Sequence, residues 1–400
     1  MSVLDKLDFE RPTKNEIDSR IEKLRVRMVE KDIDFAILFQ NTDIFYFTGT
    51  MQNSVFFISK NGDILFFVEK SIERAKRETY FDIIPVSDNN GIFKIIKQKG
   101  FKGRVGLELD VLPSQIFLKL TKELNLSDVV DVSGIIREIR MIKSEYELRQ
   151  IKKSGEIVDA VFRSAKDLLK EGMTELELAS ILESVGRKNG HNGAMRMRGF
   201  NQEMDNITIT QGSSGTVVGY ADAPILGQGL CPAVPHGASL KSIERNIPVL
   251  IDYGACFNGY ITDETRPFVI GKLDSFFELP YNVAFEIIEK ISETGKEGVN
   301  AKDLYNLSFE LVKKANLTEY FMGYGEGKVN FLGHGLGLEI NELPVITPKH
   351  DIILQEGMVF AVEPKFILPG KGVIGIEVDF IVRKDCLERV SNSSYELSVL

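Results

Sequence analysis

Residues Ile247 to Gly271 read IPVLIDYGACFNGYITDETRPFVIG, and this stretch decides the fold of the larger part of the chain. Two apolar, β-rich runs flank Asn258-Gly259, the dipeptide favoured in a two-residue hairpin because both turn positions require positive φ. Closing the turn there sets Phe257 opposite Tyr260, Gly254 opposite Asp263 and Asp252 opposite Thr265. Asp252 and Asp263 then share one face of the ribbon as diagonal neighbours, with Cβ atoms roughly 7 Å apart. Two carboxylates on one face of otherwise apolar strands repel each other unless a proton or a metal lies between them.

A second stretch, MVFAVEPKFILPGKGVIGIEVDFIV from Met358 to Val382, repeats the device. Pro369-Gly370-Lys371 is the natural turn between its two β-rich runs, and a three-residue loop there sets Glu363 opposite Glu377. Between the two hairpins lies FLGHGLGLEINELP, in which glycines flank His334 and leave its imidazole uncrowded. Four carboxylates and one histidine suit two hard-to-borderline divalent ions. The bland alternative is a set of structural ion pairs between these acids and Arg266, Lys365 or Lys371 of the same strands.

The chain has 400 residues, room for two or three domains, and is 43% hydrophobic and 27% charged, so it can bury a core. A net charge of −9 argues against a nucleic-acid backbone as the main partner. Three cysteines, Cys231, Cys256 and Cys386, without CxxC spacing, suit a reducing cytoplasm. The first residues, MSVLDKLDFERPTKNE, lack the apolar centre of a signal peptide, and no run is long enough to span a membrane. The expectation is a cytoplasmic protein with no nucleic-acid or membrane partner.

Along the chain, Thr13 and Glu16 form a capping box ahead of Ile17, Ile21, Leu24 and Met28 at helical spacing. FAILFQ, IFYFTGT, SVFFISK and DILFFVEK read as strands, the last two joined at Asn61-Gly62. A strand at RVGLEL and a helix around Gln115 to Leu124 complete an α/β unit ending near Val132. Ser144 with Glu147 caps a long helix whose buried stripe is Leu148, Ile151, Gly155, Val158, Phe162, Ala165 and Leu169. The phrase Glu171-Gly172-Met173-Thr174, with Glu177 completing another capping box, returns as Glu297-Gly298-Val299-Asn300. This suggests an internal duplication in which each half supplies helices and one acid-bearing hairpin. From His191 to Ser239 the chain is rich in Gly, Asn and Ser and poor in periodicity, which suits the walls of a substrate pocket.

With these residues in view, the chain resembles the pita-bread metallopeptidases, the group that includes methionine aminopeptidase, aminopeptidase P, prolidase and the non-metal creatinase. The resemblance lies in Asp252 and Asp263 of DYGACFNGYITDETRPF, His334 of GHGLGLE, Glu363 of VEP and Glu377 of GIEVD. It implies a creatinase-type α/β N-terminal domain over 1–135 and an α+β pita-bread catalytic domain over 136–400 with pseudo-two-fold symmetry. It also implies that Asp252 chelates one ion, His334 and Glu363 the other, and that Asp263 and Glu377 bridge both. Manganese or cobalt is expected, with zinc or iron as alternatives. The implied chemistry is attack by a metal-acidified water, with Glu363 passing the proton to the leaving nitrogen. His236 of PAVPHGAS stands where prolidase and aminopeptidase P carry a substrate-side histidine.

Two departures from the family pattern stand out. Asn341 of EINELP replaces a second histidine, so it can hydrogen-bond a substrate but cannot donate a proton as imidazolium does. Gly375 of IGIEVD replaces an arginine. Arg196 and Arg198 of RMR could bind a dipeptide carboxylate instead, with a bland surface role as the alternative. The expected function is hydrolysis of the first bond of short peptides, preferentially Xaa-Pro, by a homodimer. The competing readings are hydrolysis of a non-proline amide on the same fold and a non-catalytic binding module.

Overall fold

The computed structural model describes residues 10–400, so the leader-free reading of the first residues lies outside the described part. Two compact units are formed, one by Glu10–Arg140 with Arg198–Asn201, the other by Met141–Met197 with Gln202–Leu400.

The first unit contains α1 (Lys14–Glu30), β1 (Phe35–Leu38), α2 (Asn41–Thr48), β2 (Ser54–Ser59), β3 (Ile64–Val68), α3 (Ile72–Glu78) and β4 (Ile83–Pro85). It continues with α4 (Asn89–Lys99), β5 (Val105–Leu107), α5 (Ser114–Leu124), β6 (Val129–Asp131) and most of α6 (Ser133–Met141). Its sheet runs β4-β3-β2-β1-β5-β6, antiparallel through β1, β2 and β3 and parallel outside them. Strand residues are buried on both faces, as expected where helices cover a sheet twice. Phe35, Ile37, Phe57 and Phe67 pack with Ile92, Phe93 and Leu120 from α4 and α5. The stripe of α1 is buried as its spacing predicts.

One sequence expectation fails here. IFYFTGT belongs not to a strand but to α2, capped by the Gln40 side chain and ended by Gly49 at φ +79°. Aromatic and β-branched residues favour strands by propensity, but Ile44, Tyr46 and Phe47 are all buried in helical form, and packing overrides the weak local preference.

The second unit is built twice over. In its first half α7 (Glu145–Leu168) and α8 (Glu175–Lys188) cover a sheet that runs β17-β9-β8-β7. These strands are β7 (Ile207–Gln211), β8 (Val249–Phe257), β9 (Tyr260–Val269) and β17 (Ser398–Val399). In its second half α9 (Glu278–Thr294) and α10 (Ala301–Lys314) accompany the order β11-β10-β12-β15-β16. The strands there are β10 (Gly333–Gly335), β11 (Glu342–Ile346), β12 (Val359–Val362), β15 (Val378–Val382) and β16 (Leu387–Arg389). A separate ribbon joins β13 (Lys365–Leu368) to β14 (Gly372–Gly375). Each half has its own core, Phe162, Leu178, Ile251 and Phe268 in one and Ile287, Leu304, Phe360 and Phe380 in the other.

The duplicated phrase marks equivalent positions. Gly172 N donates to Ile243 O and Ile243 N to Met173 O, while Gly298 N donates to Leu354 O and Leu354 N to Val299 O. Gly172 and Gly298 adopt φ +84° and +87°, the left-handed turn into the next helix that glycine allows without strain. Thr174 and Asn300 then cap α8 and α10. This duplicated α+β layering is the pita-bread arrangement. The stretch 191–239 is less irregular than its sequence suggests, because Ile207–Gln211 pairs antiparallel with β8. Its short ITITQ alternation, enclosed by loop residues, gives little periodic signal.

Candidate metal centre

The first hairpin folds in the register its turn dictates. Phe257 pairs with Tyr260, Gly254 with Asp263 and Asp252 with Thr265, around Asn258 at φ +51° and Gly259 at φ +88°. In the second, Val362 pairs with Val378 and Lys365 with Gly375, a single register that sets Glu363 opposite Glu377. The ladder is broken between those pairs. Glu363 N donates to Leu332 O and Glu377 N to Thr265 O, so the two acids stand where three segments meet. His334 is the middle residue of β10. Its flanking glycines serve close backbone approach, since a Cβ on Gly333 would lie 1.9 Å from Ala361 O and one on Gly335 2.1 Å from Leu343 O.

These elements converge. His334 Nε2 lies 3.9 Å from Asp263 Oδ2, 3.7 Å from Glu363 Oε1 and 3.7 Å from Glu377 Oε1. Such separations are too long for direct hydrogen bonds but shorter than the roughly 4.2 Å that two donors, each about 2.1 Å from one ion, can span. Glu377 Oε1 is buried with no hydrogen-bond partner among the described residues. Asp263, His334 and Glu377 form a group able to hold a metal ion. The surroundings fix the ligands. Asp379 Oδ2 accepts from Asp263 N at 2.8 Å, Thr265 Oγ1 donates to Glu377 Oε2 at 2.8 Å, and Arg266 Nη1 donates to Glu377 O at 2.6 Å. Asp379 is absent from the sequence-based site. Its signal was position, two residues beyond Glu377 and thus on the same side of an apolar run.

Lys365 completes the cluster. Its Nζ lies 3.0 Å from Asp252 Oδ2, 2.9 Å from Glu363 Oε2 and 2.9 Å from Glu377 Oε2, with the side chain 3% exposed. Each glutamate therefore divides its oxygens, Oε2 toward Lys365 and Oε1 toward His334. Burial opposes the lysine's charge, but Asp252, Glu363 and Glu377 outweigh it and raise its pKa well above the usual value. Burial, followed by repulsion from Glu377 and Asp252, raises the Asp263 carboxyl well above its usual value. Glu377 is also raised, first by burial and, against the pull of Lys365, by Glu363 and Asp252. The cluster carries more negative charge than one ammonium balances. The donor set fits a divalent ion at the His334 corner.

The substrate-side candidates fall in different places. His236 and Asp252 line one cleft together with Asp263, Met204 and Leu226. Asp205 Oδ2 lies 3.1 Å from His236 Nδ1. Ile340 N donates to Arg196 O at 2.8 Å, which brings residue 196 beside the turn that carries Asn341. Arg198 belongs to the first unit, where it is buried and donates to Asp110 at 2.6 and 3.0 Å and to Asp43 at 2.8 Å. Arg140 binds the other oxygen of Asp43 at 2.6 Å. The fork of Arg198 is thus committed to protein carboxylates. His191 is buried and its Nδ1 accepts from Cys256 N of β8 at 2.8 Å, so it ties the loop to the first hairpin.

Residues 149–384 match the model of metallopeptidase family M24, and residues 20–142 that of the creatinase/prolidase N-terminal domain. This chain belongs to metallopeptidase family M24. The chain is similar to the Xaa-Pro dipeptidase of Pyrococcus furiosus, 29% identical over 381 residues, with 94% of this chain and 99% of the relative covered. Two solved structures are close in fold. The Xaa-Pro dipeptidase from Bacillus anthracis has a TM-score of 0.82 at 26% identity, covering 96% of this chain and all of that one (100%). The X-Pro aminopeptidase from Thermotoga maritima has a TM-score of 0.77 at 27% identity, covering 95% and 99%. Among the described residues no helix is long and apolar enough to cross a membrane.

Proposed function

We propose that this M24 chain is a divalent-metal-dependent peptidase that hydrolyses the bond preceding proline in short peptides. The observation that carries the reading is the meeting of Asp263, Glu363 and Glu377 oxygens around His334 Nε2, beside the cleft that contains His236. Relatives named for Xaa-Pro dipeptidase and X-Pro aminopeptidase activity support the substrate class. We assign Asp263, His334, Glu363 and Glu377 to the divalent-ion set and Asp252 to the Lys365 side of the same carboxylate cluster, with manganese or cobalt preferred over zinc or iron for oxygen-rich ligation. All of them lie in the catalytic domain, 136–400. A divalent ion bound there supplies Lewis-acid polarisation of the scissile carbonyl and an acidified water. The expected second ion meets Lys365, whose ammonium already holds three of the oxygens.

The chain's own residues supply the rest. Glu363 is the carboxylate that takes a proton and passes it to the leaving nitrogen, with Lys365 steadying its other oxygen. With Nδ1 against Asp205, His236 offers Nε2 to the substrate carbonyl. Asn341 and Arg196 border the peptide. Arg198 is assigned to its own ion pairs rather than to a substrate carboxylate. Free cysteines at 231, 256 and 386 suit the cytoplasm, and a homodimer is proposed as the working assembly. Asn341 and Gly375 favour, as the second reading, a non-proline amide on the same site.

Hydrolysis of Xaa-Pro, Xaa-Pro-Yaa and Xaa-Ala peptides by chelator-stripped protein, with and without Mn²⁺, tests the proposal. Cleavage restored by Mn²⁺ in the native chain and lost in Asp263→Asn is expected. Cleavage of Xaa-Ala alone would replace it with the second reading, and no cleavage would end it.

A further inference from the structure

We propose that Lys365 serves as a built-in cation in place of one of two metal ions, so that the centre takes a single divalent ion at the His334 corner. The inference deepens the peptidase reading and rests on it for the identity of the site. An ammonium has three N–H donors, and Lys365 Nζ has three carboxylate oxygens at 2.9–3.0 Å, from Asp252, Glu363 and Glu377. A second divalent ion bound by Asp252 and by the Oε2 atoms of both glutamates would need the space that Nζ fills. Lys365 cannot leave easily, since its side chain is 3% exposed. Its backbone is fixed by pairing with Gly375 and by accepting from Met322 N at 2.9 Å.

The chain also makes room for this lysine. A Cβ on Gly375 would lie 2.7 Å from Lys365 Cγ and 2.9 Å from Lys365 Cα, so any larger residue there would push the lysine off the acids. The missing arginine at 375 and the lysine at 365 are thereby one structural change. What remains outside the lysine's reach is the donor group of Asp263, His334 and Glu377, whose ligand atoms lie close enough together to hold one ion, with Glu363 Oε1 3.7 Å from His334 Nε2 beside it. Glu377 is 1% exposed, and its Oε1, which faces His334, has no hydrogen-bond partner among the described residues. An ordered ion is the partner it lacks.

The test is to count bound ions. Chelator-stripped native protein, saturated with Mn²⁺ and freed of excess, should retain one ion per chain by elemental mass spectrometry. Its electron paramagnetic resonance spectrum should be that of an isolated ion, without exchange coupling. Lys365→Gly should take a second ion and show coupling. Asp252→Asn, which touches only the lysine's side of the cluster, should keep its one ion, whereas Asp263→Asn should keep none. Two ions or none in the native chain overturns the inference, as does loss of the ion in Asp252→Asn. If Lys365→Gly does not fold, the native count and Asp252→Asn still decide. A native chain with one ion that cleaves no peptide would end the peptidase reading and leave this inference standing. Two ions with Xaa-Pro cleavage would do the reverse.

Discussion

Replacing Glu175 by glutamine should cost the second unit about 3–6 kcal/mol, although the two side chains have nearly the same shape. Glu175 opens α8 and is fully buried. Oε1 accepts from Gln211 N at 2.8 Å and from the Ser214 hydroxyl, while Oε2 accepts from Ser239 N at 3.0 Å and Ser239 Oγ at 2.6 Å. One carboxylate thus ties the start of α8 to the end of β7 and to the loop carrying His236. An amide presents a donor to one of these two pairs. The serine hydroxyl can rotate to accept from it, but the backbone N–H cannot, and is left buried without a partner. A hydrogen bond to a charged group contributes about 1.5–3 kcal/mol, and two are affected. Urea unfolding would measure the loss by far-ultraviolet circular dichroism and tyrosine fluorescence, since the chain has 11 tyrosines and no tryptophan. Peptidase kcat/KM should fall with it as the His236 loop loosens. A loss below 1 kcal/mol would refute the reasoning, because the carboxylate would then not be the charged hub of these segments.

Other outcomes follow from single contacts. Burial, aided by Arg187, lowers the His191 pKa from 6.5 to about 4. The unfolded chain therefore takes up that proton first, so the stability linked to His191 is complete above pH 6.5 and is lost as pH falls toward 4. The loss should approach about 3 kcal/mol, and His191→Gln should remove this segment of the pH–stability curve. Gly259→Ala, at φ +88°, should cost about 1 kcal/mol by urea unfolding while retaining the hairpin register. Gly333→Ala places a Cβ 1.9 Å from Ala361 O, and the strand that carries His334 must move. At least a tenfold weakening of Mn²⁺ binding by calorimetry is expected, together with a loss of about 2 kcal/mol or more in stability.

The parts of the fold legible in sequence are those governed by local rules. Asn258-Gly259 fixes a turn, and a turn fixes the register of the next strands, so the Asp252 and Asp263 positions follow from the letters alone. The capping boxes at Ser144 and Thr174 mark helix starts for the same reason. Local rules fail where distant packing decides. IFYFTGT is helical because its aromatic residues meet a sheet formed partly by later residues, with Phe47 stacked on Phe56. Arg196 and Arg198 look equivalent in RMR, yet Arg198 is consumed by Asp43 and Asp110, far away in sequence. Lys365 was visible as an ion-pair partner for the acids. That it would take three of them at once depends on the break in the β12–β15 ladder, which no residue pattern announces.

The twin turns at Gly172 and Gly298 give the molecule its own internal control. Both have nearly the same φ, a Cβ at either would meet no non-adjacent described residue within 4 Å, and each is gripped by the same pair of reciprocal backbone hydrogen bonds. One substitution made at both places imposes the same local strain twice, in two different neighbourhoods. The difference between the two responses then isolates what each half of the unit contributes to holding itself together, a quantity that comparison between separate proteins cannot deliver cleanly.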